Sequence, residues 1–173
     1  GDVLRNTPFT IIAEIKRGSP SKGILANIEA PEYLAKTYVE GGAGVLSVLT
    51  DQGFYASLDD LERVARSIPK LPIIRKDFVI DPIQVAEAAA AGASAVLLIV
   101  KVLGERTKQF IQLASQLGLD ALVEVHDERE LQVAIDAGAE IIGVNNRDLT
   151  SFTVDLSISE KLSTIIPKGI LKV

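Results

Sequence analysis

Ala-Ala-Ala-Ala-Gly-Ala-Ser-Ala-Val-Leu-Leu-Ile-Val, residues 88 to 100, changes character at its glycine. A helical stretch ends at Gly92-Ala93, and an apolar run from Ala95 to Val100 follows. The same junction recurs as Gly41-Gly42-Ala43 ahead of Val45 to Leu49 and as Gly138-Ala139 ahead of Ile141 to Val144. Glycine just past a helix end takes the left-handed conformation without a Cβ penalty, so each junction reads as helix stop, short loop, strand. The repeating unit is α then β. The quoted stretch, broken by Gly92 and Ser94, is shorter than the roughly 20 apolar residues of a membrane span. No transmembrane or signal segment is expected.

Helix starts are marked as clearly as the stops. Asp127 with Glu130 has capping-box spacing, Asp81-Pro82 sets an N-cap residue before a proline at the first helical position, and Ser57 with Asp60 is a third candidate. Leu61, Val64, Ala65 and Ile68 then recur at helical spacing and should face a sheet. Seven β-branched or apolar runs lie between the helices: Phe9 to Ile15, Val45 to Leu49, Ile73 to Ile74, Ala95 to Val100, Ala121 to Val125, Ile141 to Val144 and Ile170 to Val173. They begin roughly 20 to 35 residues apart, the spacing of βα units in a parallel sheet. Most do not alternate, as expected for strands covered on both faces.

A doubly wound sheet and a closed barrel both fit this rhythm. Gly18-Ser19-Pro20-Ser21-Lys22-Gly23 after the first strand lacks dinucleotide-loop spacing, so a (β/α)₈ barrel is favoured. The 173 residues suit one domain, spanning 1–173. The chain opens on Gly1 and contains no methionine, which suggests a trimmed chain or gene fragment. A net charge of -5 opposes binding of polyanionic nucleic acid. The absence of cysteine excludes disulfides and thiolate chemistry and is compatible with a reducing cytoplasm.

In parallel α/β proteins the C-terminal ends of the strands share one rim, which carries the site. Those ends hold Glu14 and Lys16, Lys76 and Asp77, Glu124, and Asn145 with Arg147. Glu14 and Lys16 leave one face of their strand together with Ile12, which alone could be a solvated strand end bearing an incidental ion pair. Glu124 sits in Ala-Leu-Val-Glu-Val among residues that should be buried. A buried carboxylate must be protonated or paired, and Lys16 and Lys76 are the natural partners. Lys76 could equally be an ordinary loop lysine.

Asn145-Asn146-Arg147-Asp148 could be a plain turn, although the arginine fork suits a carboxylate or phosphate. His126, the only histidine, reads as a loop residue beside the Asp127 cap, and a lone histidine does not make a metal site. The segment from Arg17 to Pro31 is long for a βα loop. It reads as a lid over the barrel mouth that brings Ser19 or Lys22 to a substrate.

Four stretches taken together resemble one family, the indole-3-glycerol-phosphate synthases. They are Ile-Ala-Glu-Ile-Lys-Arg-Gly-Ser-Pro-Ser-Lys-Gly (Ile12 to Gly23), Arg-Lys-Asp-Phe-Val-Ile-Asp-Pro (Arg75 to Pro82), Leu-Val-Glu-Val (Leu122 to Val125) and Gly-Val-Asn-Asn-Arg-Asp-Leu (Gly143 to Leu149). Order and spacing match from about Phe9 onward. The resemblance implies a TIM barrel of the ribulose-phosphate-binding type and a cytoplasmic lyase of tryptophan biosynthesis. Its substrate would be 1-(2-carboxyphenylamino)-1-deoxyribulose 5-phosphate, closed with loss of carbon dioxide and water, without a cofactor or metal. By that resemblance Lys76 is the general acid at the ketone oxygen and Glu124 the acid/base partner in later proton transfers. Glu14 and Lys16 are the family's catalytic first-strand pair, with Lys16 near the substrate carboxylate and a candidate proton donor in the dehydration. Asn145 and Arg147 contact the substrate, Ser19 helps hold the phosphate, and Phe78 walls the aromatic ring.

The family's pattern continues past a seventh strand with a phosphate-binding segment and an eighth strand, whereas Val173 lies within the seventh. By the same resemblance Gly1 to Thr7 is a stub of a helical extension ahead of the first strand, and the expectation is an incomplete barrel of about seven strands that binds the phosphate poorly, has little or no activity alone and can self-associate through open edges. Two other functions stay in view. One is a catalytically silent folding or assembly unit derived from the enzyme. The other is a different phosphate-binding barrel such as an isomerase, which the set of Lys76, Glu124 and Asn145 to Leu149 argues against.

Overall fold

The strands carry apolar side chains on both faces because each face packs against something different. In the computed structural model, which describes residues 1–7, 9–149 and 153–173, seven parallel strands run in chain order across one sheet. They are β1 (Ile12–Ile15), β2 (Val45–Leu49), β3 (Ile73–Lys76), β4 (Ala95–Ile99), β5 (Asp120–Val125), β6 (Ile141–Val144) and β7 (Leu171–Lys172). Each pairs in parallel with the next, with Glu14 opposite Ser47, Leu49 opposite Lys76, and Ile99 opposite Glu124.

One face, with Leu46, Val48, Val96, Leu98, Val123 and Ile142, packs under the helices in three clusters. The other face gathers Val45, Ile74, Ala95, Leu97, Ile99, Leu122 and Ile141, with Ile12 and Leu171, into a fourth cluster inside the curl. Ile12 of β1 and Val173 beyond β7 line the same internal cavity, so the sheet curls as part of a barrel. Among the described residues β1 pairs only with β2 and β7 only with β6. Among the described residues no helix is long and apolar enough to cross a membrane.

The outer helices are α1 (Asp2–Asn6), α2 (Pro31–Glu40), α3 (Leu58–Ser67), α4 (Pro82–Ala90), α5 (Val100–Leu103), α6 (Thr107–Gln116), α7 (Glu128–Asp136) and α8 (Ser157–Ile165). Gly42, Gly92 and Gly138 all take positive φ, as the recurrent junction requires. Leu61 and Val64 of α3 are fully buried against the sheet. Gln84 completes the box at the start of α4, accepting from the Asp81 backbone at 3.0 Å while Asp81 accepts from Ile83.

Three expectations shift. The first strand starts at Ile12, not Phe9: Phe9 is exposed, and the ladder reaches back only to the Ile11 carbonyl, which accepts from Gly44 and Val45. The residues ahead of it form α1, where the resemblance put a helical stub, but as a packed element rather than a remnant. Its Val3 and Leu4 pack on the inner cluster at the N-terminal end of the strands, and Arg5 pairs with Glu140 at 2.7 Å. The box expected at Asp127 is half formed. Asp127 accepts from the Glu130 backbone, but the Glu130 carboxylate reaches past the cap to the backbone N–H of His126 at 2.8 Å.

Arg75 anchors the end of β3. Alternation turns it away from the Lys76 side, beneath α4, where it is buried. Its guanidinium donates to Thr50 Oγ1 at 3.0 Å, the Gln84 carbonyl at 2.6 Å, Glu87 at 3.0 Å and Asp77 at 3.0 Å. Thr50 in turn donates its hydroxyl proton to Asp77 and its backbone N–H to the Lys76 carbonyl. The backbone carrying Lys76 is thereby fixed from behind.

Candidate functional site

Inside the curl, polarity rises along the strands. Ile12 precedes Glu14, Ile74 precedes Lys76, Leu122 precedes Glu124, and Ile141 and Gly143 precede Asn145. Because inward positions recur every second residue, four strands deliver apolar side chains to the interior and polar ones to the C-terminal rim. Glu14, Ser47, Lys76, Glu124 and Asn145 line one cavity there, floored by Ile74, Leu97 and Leu122. Ser47 was not singled out by sequence reading, though it sits two residues before the end of β2 on the inward parity.

Glu124 is buried, 8% exposed, and of the two lysines expected to balance it only Lys76 acts on it, through charge without a direct pair. Lys16 turns to Glu14 at 2.7 Å instead. Asn145 Nδ2 donates to Glu124 Oε1 at 3.1 Å, and His126 Nε2 lies 3.4 Å from the same oxygen. Burial pushes the Glu124 carboxyl upward. His126, Asn145 and the charge of Lys76 outweigh it and hold the group below its ordinary value. Asn145 is itself fixed, because its Oδ1 accepts from the Arg147 backbone at 3.0 Å.

His126 is therefore no loop bystander. It is 7% exposed, its Nδ1 is 2.9 Å from Glu130 Oε2, and its ring spans the gap between Glu130 and Glu124. The signal was present in the spacing: two residues from Glu124 along a strand direction, four from Glu130. Among the described residues no three His, Asp or Glu side chains are arranged to hold a metal ion.

The two carboxylates, Glu124 first and Glu130 next, raise the His126 pKa to about 9 against the opposing effect of burial. A histidine raised in the folded state contributes stability that is complete below its unfolded value near 6.5 and is lost as pH climbs through about 9. The contribution is at most about 3 kcal/mol. Urea unfolding of the intact protein and of His126→Asn, at pH 6 and pH 10, should show the wild type losing its advantage at the higher pH. Equal differences at both pH values would contradict the pairing.

Phe78, expected as an apolar wall, is partly exposed just beyond β3. It faces Phe54, with ring centroids 6.3 Å apart, beside Leu49, Ile99 and Lys76. Sequence reading missed Phe54, whose only cue was an aromatic pair, Phe54-Tyr55, in the loop after β2. Lys76 lines both this apolar recess and the polar cavity. Arg147 stays outside, exposed on the loop after β6, where its backbone bridges Val154. That loop is tied down by Asn146, which accepts from the Ser159 backbone and hydroxyl.

Ser19 lies in a short antiparallel hairpin, Gly18–Ser19 against Gly23–Ile24, and does not reach the cavity lining. A Cβ on Gly18 would meet the Tyr55 ring at 2.5 Å, so the hairpin can sit on the loop after β2 only with glycine there. Arg17 clamps the base of this segment by gripping both oxygens of Asp60, at 2.9 and 2.6 Å, and the Ile28 carbonyl.

Solved structures share this architecture. The chain superimposes on 3-keto-L-gulonate-6-phosphate decarboxylase from Vibrio cholerae with a TM-score of 0.69 at 14% identity, covering 96% of this chain and 77% of that one. KDPG aldolase from Legionella pneumophila gives 0.65 at 19% identity, covering 96% and 71%. At such identities the likeness concerns the fold alone. Sequence relatives are nearer. The indole-3-glycerol phosphate synthase of Leptospira interrogans is 51% identical over 99% of this chain and 69% of its own length. That of a Roseiflexus species is 50% identical over 94% of this chain and 63% of its own length. The chain thus spans about two thirds of these relatives. The family model described as indole-3-glycerol phosphate synthase matches residues 2–173, a span that holds every strand and rim residue above. On that match, and on relatives at half identity along its whole length, the chain belongs to the indole-3-glycerol phosphate synthase family.

Proposed function

We propose that the rim cavity is the acid/base end of a site that converts 1-(2-carboxyphenylamino)-1-deoxyribulose 5-phosphate to indole-3-glycerol phosphate, carbon dioxide and water. The observation that carries the reading is the position of Lys76. It stands between an apolar recess edged by Phe54 and Phe78 and a polar cavity holding Glu14, Glu124 and Asn145. The recess, about 20 Å³ and lined also by Asp51 and Asp77, does not enclose a ring; an aromatic ring lying over Phe54 and Phe78 at its mouth would bring its reacting carbon and the adjoining ketone to one ammonium group.

In this reading Lys76 protonates the ketone oxygen as the ring carbon bearing the carboxylate bonds to the ketone carbon. Carbon dioxide then leaves, and the electron pair of the broken bond restores the aromatic ring. Glu124, kept ionised by His126 and Asn145, removes a proton next to the new hydroxyl-bearing carbon. An acid, assigned to Lys16, protonates the departing hydroxyl. Two protons are given and one is taken. The net proton drawn from solvent balances the lost carboxylate charge, so no cofactor is needed.

Glu14 holds Lys16 in place through their 2.7 Å pair. Asn145 contacts the substrate while orienting Glu124, and Arg147 orients an anionic group from the rim. Ser19 helps hold the phosphate, which requires the hairpin to close toward the mouth. Turnover of this substrate by the intact protein, followed by indole fluorescence, tests the reading. Indole-3-glycerol phosphate should accumulate with the full-length wild-type protein, and with Glu124→Gln it should appear at least about a hundredfold more slowly. A wild-type protein without turnover would refute it.

A further inference from the structure

The relay Glu124, His126, Glu130 lies partly outside the cavity and has no part in the steps above beyond keeping Glu124 charged. His126 and Glu130 do not line the cavity that holds Glu124. Glu130 belongs to the first turn of α7, where its backbone N–H is taken by the Asp127 cap. One oxygen of its carboxylate is committed behind the strand: Oε2 accepts from the His126 backbone at 2.8 Å and sits 2.9 Å from His126 Nδ1. The backbone contact fixes the carboxylate oxygen in place, so turning the imidazole would break its Nδ1 contact with an acceptor that cannot follow.

The ring's other nitrogen is buried and lies 3.4 Å from Glu124 Oε1, without hydrogen-bond alignment to any described residue. Asn145 also contacts Oε1. Both neighbours therefore sit on one oxygen of Glu124, and Oε2 is left to the cavity. A buried N–H a few tenths of an ångström too far from its acceptor is a contact that tightens when a bound molecule presses on Glu124.

We propose that His126 is a positioning residue: braced by Glu130, its imidazolium holds Glu124 by Oε1 so that Oε2 faces the substrate as the working base. This rests on the functional reading of Glu124 given above. It assigns a second task to α7, whose first turn becomes the backing of the site. The high proton affinity of the ring, about 9, agrees with a cation across the neutral range. The charged groups that set it are Glu124 on its own strand and Glu130 on α7, and Lys76 on β3 acts on the same Glu124.

The test uses the intact protein and two measurements. The first is a pH titration of the His126 ring nitrogens by ¹⁵N NMR, assigned by comparison with His126→Asn. Both nitrogens should stay protonated past pH 8, and Glu130→Gln should lower the midpoint. A midpoint near 6.5 in the wild type would overturn the proposal. The second is steady-state turnover of His126→Asn and Glu130→Gln. Each should lose about ten- to a hundredfold in kcat with KM nearly kept, as expected for a displaced base. Each should also move the acidic limb of the kcat profile to higher pH, which a merely structural role would not do.

If His126→Asn fails to fold, Glu130→Gln carries the same prediction from farther away. Unchanged kcat and pH limb in the folded variants, with Glu124→Gln inactive, would overturn the positioning role alone. Normal turnover of Glu124→Gln would overturn the reading of the base, and the role of His126 with it.

Discussion

Lys76→Met in the intact protein should lower kcat for indole formation about a thousandfold, near the middle of the range for loss of a positioned general acid. Methionine keeps the length and apolar stem of lysine and removes only the proton donor. The Lys76 ammonium has no hydrogen bond or ion pair among the described residues, so its removal should leave the urea midpoint close to wild type. The backbone at this position is held independently by Thr50 and the buried Arg75. A tenfold loss or less, with the fold intact, would place the acid elsewhere. One second-order effect is expected too. Without the Lys76 charge, one of the three influences that hold Glu124 below its ordinary pKa is gone. The acidic limb of any remaining activity should rise in pH.

Arg75→Leu should cost about 3 to 5 kcal/mol of stability, because removing one partner of a buried ion pair strands the other. Asp77, 9% exposed, would keep only the Thr50 hydroxyl, and the Gln84 carbonyl and Glu87 would lose their donor. The double variant Arg75→Leu/Asp77→Leu should recover more than half of the loss, since two apolar side chains under α4 leave no buried charge behind. Urea unfolding reads both. A single-variant loss below about 1 kcal/mol would mean that water reaches the network and that β3 is held in some other way.

Most of the fold was legible because its punctuation is local. Helix stops at Gly42, Gly92 and Gly138, and helix starts at Ser57 and Asp81, are decided within one turn of chain, so strands and helices follow in order. Residues whose partners are local in sequence but reached by an unusual path were harder to place. Glu130 has the spacing of a capping-box glutamate, yet a histidine one residue ahead of the cap offers it both a backbone N–H and a ring nitrogen. That competition is invisible to spacing rules. The short helix α1 was placed by resemblance and not by pattern: five residues make little helix by propensity, and it exists because Val3 and Leu4 cover the end of the inner cluster.

The site divides in the same way. Glu14, Lys76, Glu124 and Asn145 converge because strand parity and a shared rim bring them together, and both can be read from sequence. The counter-charge of Lys76 on Glu124 was read, but the direct partner was not. Lys16 and His126 were both near enough in principle, and the choice depends on Lys16 lying two residues from Glu14 and pairing with it first. Phe54 escaped because nothing in a loop sequence says which strand end it will lean over. Ser19, expected at the mouth from the lid reading, and Arg147, expected there from the strand-end reading, both stand apart from the cavity.

The division of labour between Lys76 and Glu124 is tested most directly by single turnover of substrate labelled with ¹³C at its carboxylate, with carbon dioxide and indole followed together. If Lys76 drives ring closure and Glu124 the dehydration, Glu124→Gln should release labelled carbon dioxide well ahead of any indole signal, and Lys76→Met should release neither. Carbon dioxide and indole appearing together at wild-type rate from Lys76→Met, or both vanishing together in Glu124→Gln, would contradict it.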